Sequence, residues 1–146
     1  ISPEMWRKTF KHRYVRIFEQ IKKVNPDVIF IMHSDGAVAP LLDDFIEMGI
    51  HVYNPVQPNV RGSDPDELKT RYGDSISFFG GIDQQELLPK GDKEAIRKEI
   101  QYRCEVLGAN GGYLLAPAHI LQADVKPETI QVMIDAAYEF GQYSNL

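Results

Sequence analysis

The chain has 146 residues, 43% of them hydrophobic, enough for one domain with a sizeable core. Its net charge of −5 and pI near 5.3 lack the basic stripe of a nucleic-acid-binding surface. The single cysteine, Cys104, excludes an internal disulfide and suits a reducing cytosol. The longest wholly apolar run, Val28 to Met32, is far short of a bilayer span, so we expect a cytoplasmic protein without a membrane partner. No charged-then-apolar leader opens the sequence, and Ile1 stands directly before a helix start. The first feature predicts no secretory signal, and the second, with no initiating Met, a processed or truncated product.

Ser2-Pro3 reads as a helix start, a capping hydroxyl followed by proline where the missing N–H costs nothing. Trp6, Phe10, Tyr14, Ile17, Phe18 and Ile21 then recur at the helical period until Asn25-Pro26-Asp27. Val28 to Met32 is a strand without alternation, as in parallel sheets buried on both faces. A helix through Val38, Leu41, Leu42, Phe45 and Ile46 closes at Gly49, and Ile50 to Tyr53 is the second strand. Asp64-Pro65-Asp66-Glu67 is a capping box opening a short helix with Leu68 and Tyr72. The third strand, Ile76 to Phe79, ends in Gly80-Gly81. Ile96, Ile100, Cys104 and Leu107 mark a helix stopped by Gly108, with Cys104 as structural filler. Tyr113 to Ala116 is the last strand, and Pro127 opens a final helix with Ile130, Met133, Ile134 and Ala137.

Strands alternating with helices predict parallel βαβ units in a single partial domain over residues 1–146. The first strand is followed by His33-Ser34-Asp35-Gly36-Ala37, which is neither a dinucleotide-binding glycine loop nor a P-loop. A complete (β/α)₈ barrel takes about 250 residues, so four strand-helix units correspond to half of one. Such a half leaves sheet edges and apolar strand surface uncovered, and is expected to need its missing half or a second copy of itself.

In these barrels the chemistry sits just beyond the C-terminal ends of the strands. Those ends carry His33 and Asp35, then Asn54 and Gln57, then Gly80, Gly81, Asp83 and Gln84, then His119. His33 and Asp35 are two apart and point the same way on an extended backbone. Together with His119 they could bind zinc and leave a position open for substrate. Alternatively Asp35 orients His33 for proton transfer, or merely caps the following helix. Gly80-Gly81 allows either close approach of a ligand or a tight turn. Asp83 is a substrate contact or a cap before Glu86. His12 belongs to a solvated basic face, and His51 lies at the opposite, structural end of its strand.

The ordered set His33-Ser34-Asp35-Gly36, Asn54-Pro55-Val56-Gln57, Phe79-Gly80-Gly81-Ile82-Asp83 and Ala116-Pro117-Ala118-His119 resembles the C-terminal half of the uroporphyrinogen decarboxylase superfamily. That resemblance implies a (β/α)₈ barrel and two candidate chemistries. One is metal-assisted methyl transfer with a corrinoid protein, with His33, Asp35 and His119 around zinc. The other is decarboxylation of the acetate side chains of a tetrapyrrole, which needs no metal or organic cofactor. There, His119 matches the family's C-terminal histidine, and Gly81-Ile82-Asp83 is similar to its third-strand element. The methyltransferase branch carries H-x-C-G after this first strand and another cysteine near the last strand end. Here Asp35 and His119 stand in those places, and oxygen and nitrogen ligands make a metal more Lewis acidic than thiolates do. His119 and Asp35 are thus the implied catalytic residues, with Asn54, Gln57, Gly80, Gly81 and Asp83 as substrate contacts. A non-catalytic corrinoid-binding module is a further alternative, since His33 and Gly36 fit D-x-H-x-x-G, although Ile31 occupies the aspartate position. The fragment alone is expected to be inactive, because a barrel site draws on several strands.

Overall fold

A computed structural model describes residues 1–143. The chain begins with α1 (Pro3–Trp6), a π-helical segment at Arg7–Lys11, and α2 (His12–Val24). Ser2 accepts the amide of Met5 at 3.2 Å, so the capping expected from Ser2-Pro3 is present. The π turn interrupts what the periodicity predicts as one even helix. Arg7 and Lys11 at its two ends both reach Asp44.

Then come β1 (Ile31–His33), a 3₁₀ turn at Ala39–Leu41 leading into α3 (Leu42–Glu47), β2 (Val52–Val56), α4 (Pro65–Tyr72) and β3 (Ser77–Ile82). The chain continues through the single turn α5 (Leu87–Lys90), α6 (Lys93–Leu107), β4 (Tyr113–Pro117) and α7 (Pro127–Phe140). All four strands are parallel and lie in the order β1-β2-β3-β4. This is the α/β architecture of half a (β/α)₈ barrel, as the alternation predicts. Asp64 caps α4 by accepting the Glu67 amide at 3.0 Å.

The strands lie further along the chain than the apolar runs suggest. The amide of Phe30 donates to Nδ1 of His51 at 3.0 Å instead of joining a backbone ladder, so β1 pairs from Ile31 onward. Gly80 and Gly81 do not terminate β3 but lie inside it, in register with Leu115 and Ala116. Their φ angles are +108° and +96°, a backbone few other residues adopt. A Cβ on Gly81 would stand 2.8 Å from the Tyr113 hydroxyl, which donates to the Gly80 carbonyl at 2.7 Å. Gly81 therefore makes room for the protein's own tyrosine.

One core cluster joins Phe30, Met32, Tyr53 and Phe78 to Leu42, Phe45 and Leu68 of the helical layer. A second places Ile82 against Leu88, Ile96, Ile100 and Ala136. Burial alternates along β1: Met32 faces the helices, while Ile31 and His33 face outward from the other side of the sheet. Parallel register places Asn54, Phe79 and Leu114 in the row of His33 on that same uncovered face.

Candidate active site at the strand ends

Three side chains from the two outer strands converge. Nε2 of His33 lies 3.4 Å from Oδ2 of Asp35, and the rings of His33 and His119 are 5.9 Å apart between centroids. One donor atom from each of His33, Asp35 and His119 falls within 4.8 Å of the others. Strand β1 ends at His33, Asp35 follows in the loop, and His119 comes two residues after β4, so curvature of the sheet brings its edges to one mouth. All three side chains are exposed.

Around a tetrahedral zinc with bonds of about 2.0–2.1 Å, donor atoms stand roughly 3.4 Å apart. The His33–Asp35 separation already has that value, and the donor atoms of all three residues lie within 4.8 Å of one another. Two imidazoles and a carboxylate are a fitting set for an open zinc site. The three residues therefore fit the metal that the sequence implies.

The neighbouring cavity, about 470 Å³, is lined by Asp35, Gln57, Gln84, Gln85, His119 and Gln122, among others. Among the described residues, no lysine or arginine lines it. Gln57 lies at the strand-end mouth as expected, and its Oε1 accepts the Gly36 amide at 2.7 Å, tying the β1 loop to β2. Gln85 and Gln122, which the sequence reading does not pick out, also line the cavity beyond the ends of β3 and β4. The strand-end position that marks Gln84 and His119 extends to both of them.

Asn54 is not among the residues lining this cavity. Its Oδ1 meets Nδ1 of His33 at 2.6 Å. Asp83 is buried, and both of its oxygens serve the turn: Oδ1 accepts the amides of Gln85 and Glu86, and Oδ2 accepts Nδ2 of Asn59 at 2.8 Å. Of its two candidate roles, the cap is the one these contacts describe. Gly80 and Gly81 likewise meet protein atoms: a Cβ on Gly80 would lie 3.3 Å from both Pro55 Cβ and the Val56 nitrogen.

Cys104 is half-buried on α6, away from the strand-end mouth; burial and the nearby Glu105 push its thiol pKa up, so it is a weak nucleophile. His51 binds the Phe30 amide and takes no part in the site.

The profile of the family described as "Uroporphyrinogen decarboxylase (URO-D)" matches residues 1–140. The chain belongs to the uroporphyrinogen decarboxylase family. It is 25% identical over 147 residues to the uroporphyrinogen decarboxylase of Legionella pneumophila (strain Corby), covering 100% of this chain and 40% of that protein. It is 31% identical over 79 residues to the uroporphyrinogen decarboxylase of Methylococcus capsulatus, covering 54% of this chain and 22% of the relative. The chain thus spans two-fifths or less of the curated relatives it matches. Among solved structures, a methyltransferase from Methanosarcina mazei superposes with a TM-score of 0.76 over 97% of this chain and 39% of the other, at 20% identity. That likeness establishes the shared fold. The URO-D family thus contributes a barrel whose mouth is the place where His33, Asp35 and His119 gather.

Proposed function

We propose that the protein containing these residues is a methyltransferase of the URO-D superfamily that works with a corrinoid protein, its metal held by His33, Asp35 and His119. The convergence of these three side chains from opposite edges of the sheet carries the reading. The pair His33 Nε2 and Asp35 Oδ2 adds to it, since with Nδ1 protonated these are two acceptors 3.4 Å apart, a separation that a cation between them satisfies. Zinc bound there would supply Lewis acidity toward the methyl-accepting group, stronger than with thiolate ligands.

The chain's own residues bind and orient. The glutamines of the cavity wall offer neutral donors and acceptors to a polar substrate, and Gln57 holds the Asp35 loop against β2. The rest of the barrel supplies the remaining wall, so a chain of these 146 residues alone is inactive in this reading.

The names of the two curated relatives support a second reading, decarboxylation of a tetrapyrrole's acetate groups, with His119 as a carboxylate contact. The wall that the described residues build carries two carboxylates, Asp35 and Asp124, beside His119. The readings part on metal content. The intact protein should retain about one zinc per chain by elemental analysis and lose it on His33→Ala or His119→Ala. Wild-type protein without stoichiometric metal, and unchanged by either substitution, would remove the methyl-transfer reading.

A further inference from the structure

We infer that Asn54 is a positioning residue that fixes His33 in one tautomer, with its proton on Nδ1 and the lone pair of Nε2 turned toward Asp35. The inference extends the metal reading above, but its first observable exists without any metal.

The argument runs across three strands. Asn54 is the register partner of His33 in the parallel β1–β2 ladder. Its Nδ2 donates to the Phe79 carbonyl of β3 at 3.4 Å, and its Oδ1 faces Nδ1 of His33 at 2.6 Å. The amide has only one orientation that satisfies both neighbours. Turned over, its oxygen would face the Phe79 carbonyl, acceptor against acceptor, and its NH₂ would require Nδ1 to be unprotonated. The backbone of β3 thus selects the orientation of Asn54, and Asn54 selects the proton position on His33. An oxygen at 2.6 Å is satisfied only by an N–H, so Nδ1 carries the proton.

Nε2 of the neutral ring is then left as an acceptor, beside the Asp35 carboxylate and within reach of His119. This is the arrangement in which a metal-binding imidazole has its second nitrogen held by an outer partner. Such partners orient the ring and commonly alter metal affinity by about 10–100-fold. Asn54 is not a lining residue of the cavity, and its side-chain hydrogen bonds go to His33 and the Phe79 carbonyl, so its effect on a ligand passes through His33.

Long-range ¹H–¹⁵N correlation spectra of the metal-free protein, with ¹⁵N-labelled histidine, test this directly at a pH where His33 is neutral. The His33 signals are identified by their loss in His33→Gln. The expected wild-type pattern is a protonated Nδ1 and an unprotonated Nε2. Asn54→Asp, which keeps the acceptor, should preserve that pattern, whereas Asn54→Leu should shift it toward the Nε2–H form or a mixture. Titration with Co²⁺ followed by its visible absorption should show Asn54→Leu binding about 10–100-fold more weakly than wild type. A wild-type His33 protonated on Nε2, or a pattern indifferent to Asn54→Leu in a folded protein, overturns the inference. Wild-type protein with the expected tautomer but no Co²⁺ binding would instead retain the lock and remove the metal reading.

Discussion

Gly81 illustrates how one residue type supports two incompatible roles until its neighbours are known. A glycine pair at a strand end fits a ligand lying close to the backbone, and it fits equally a backbone with positive φ. Here the space beside Gly81 is taken by the Tyr113 hydroxyl, whose bond to the Gly80 carbonyl is buried. Gly81→Ala should therefore act on stability: the added methyl must displace Tyr113 and occupy a φ of +96°, at a cost of about 3 kcal/mol. Urea unfolding monitored by circular dichroism reads that cost. An unchanged unfolding midpoint would show that neither the backbone angle nor Tyr113 constrains this position. Asp83 poses the same ambiguity, since a carboxylate after a strand serves a ligand or a turn, and only the contacts from Gln85, Glu86 and Asn59 separate the two.

At the scale of elements, the order of strands and helices was legible because each buries a periodic apolar set, and periodicity needs no knowledge of partners. The strand limits were less legible: β1 starts late because the His51 imidazole takes the Phe30 amide, a contact between residues 21 apart. The one-turn α5 and the π turn in the first helix likewise left no periodic trace. Within the site, His33, Asp35 and His119 could be found because strand ends share one mouth, but the role of Asn54 depends on pairing register. Another contact hidden from the sequence fastens the first helical stretch to α3. The buried Asp44 accepts from Arg7 Nε at 2.7 Å and from Lys11 Nζ at 2.9 Å. Burial alone would raise the Asp44 pKa, but the hydrogen bonds from Lys11 and Arg7 outweigh it and hold the pKa below its ordinary 3.8. A carboxyl lowered in the folded state contributes stability above its unfolded pKa and loses that contribution as pH falls through the folded value. Asp44→Ala should thus cost about 2 kcal/mol near neutral pH. The gap between variant and wild type should narrow below about pH 4, as read from urea midpoints over a pH series. A gap that stays constant down to pH 2.5 would mean that the carboxylate's charge contributes nothing.

For the molecule as a whole, the two faces of the sheet are in different states. The helical face is filled by α3, α4 and α6, with Phe78 and Phe45 almost wholly enclosed. The opposite face, which in a closed barrel points to the interior, leaves Ile31 54% and Leu114 46% exposed. β1 and β4 each have one unpaired edge, and both edges are ready templates for another strand. The chain covers 40% of the Legionella relative, and its four described strands form half of a (β/α)₈ barrel with both edges open. Burying apolar surface at about 25 cal/mol per Å² favours association wherever a complementary face is within reach. These 146 residues on their own should therefore self-associate, sedimenting faster as concentration rises from micromolar upward. Placing charge on the open face with Ile31→Glu and Leu114→Glu should weaken that association while leaving the helical face, and hence the far-ultraviolet spectrum, intact. Supplying the remaining strands and helices in trans should compete with it, because both would cover the same row of side chains running from Leu114 to His33. A cooperatively unfolding monomer at all concentrations would show that the open face is tolerated in water, and that closure of the barrel is required for the site alone.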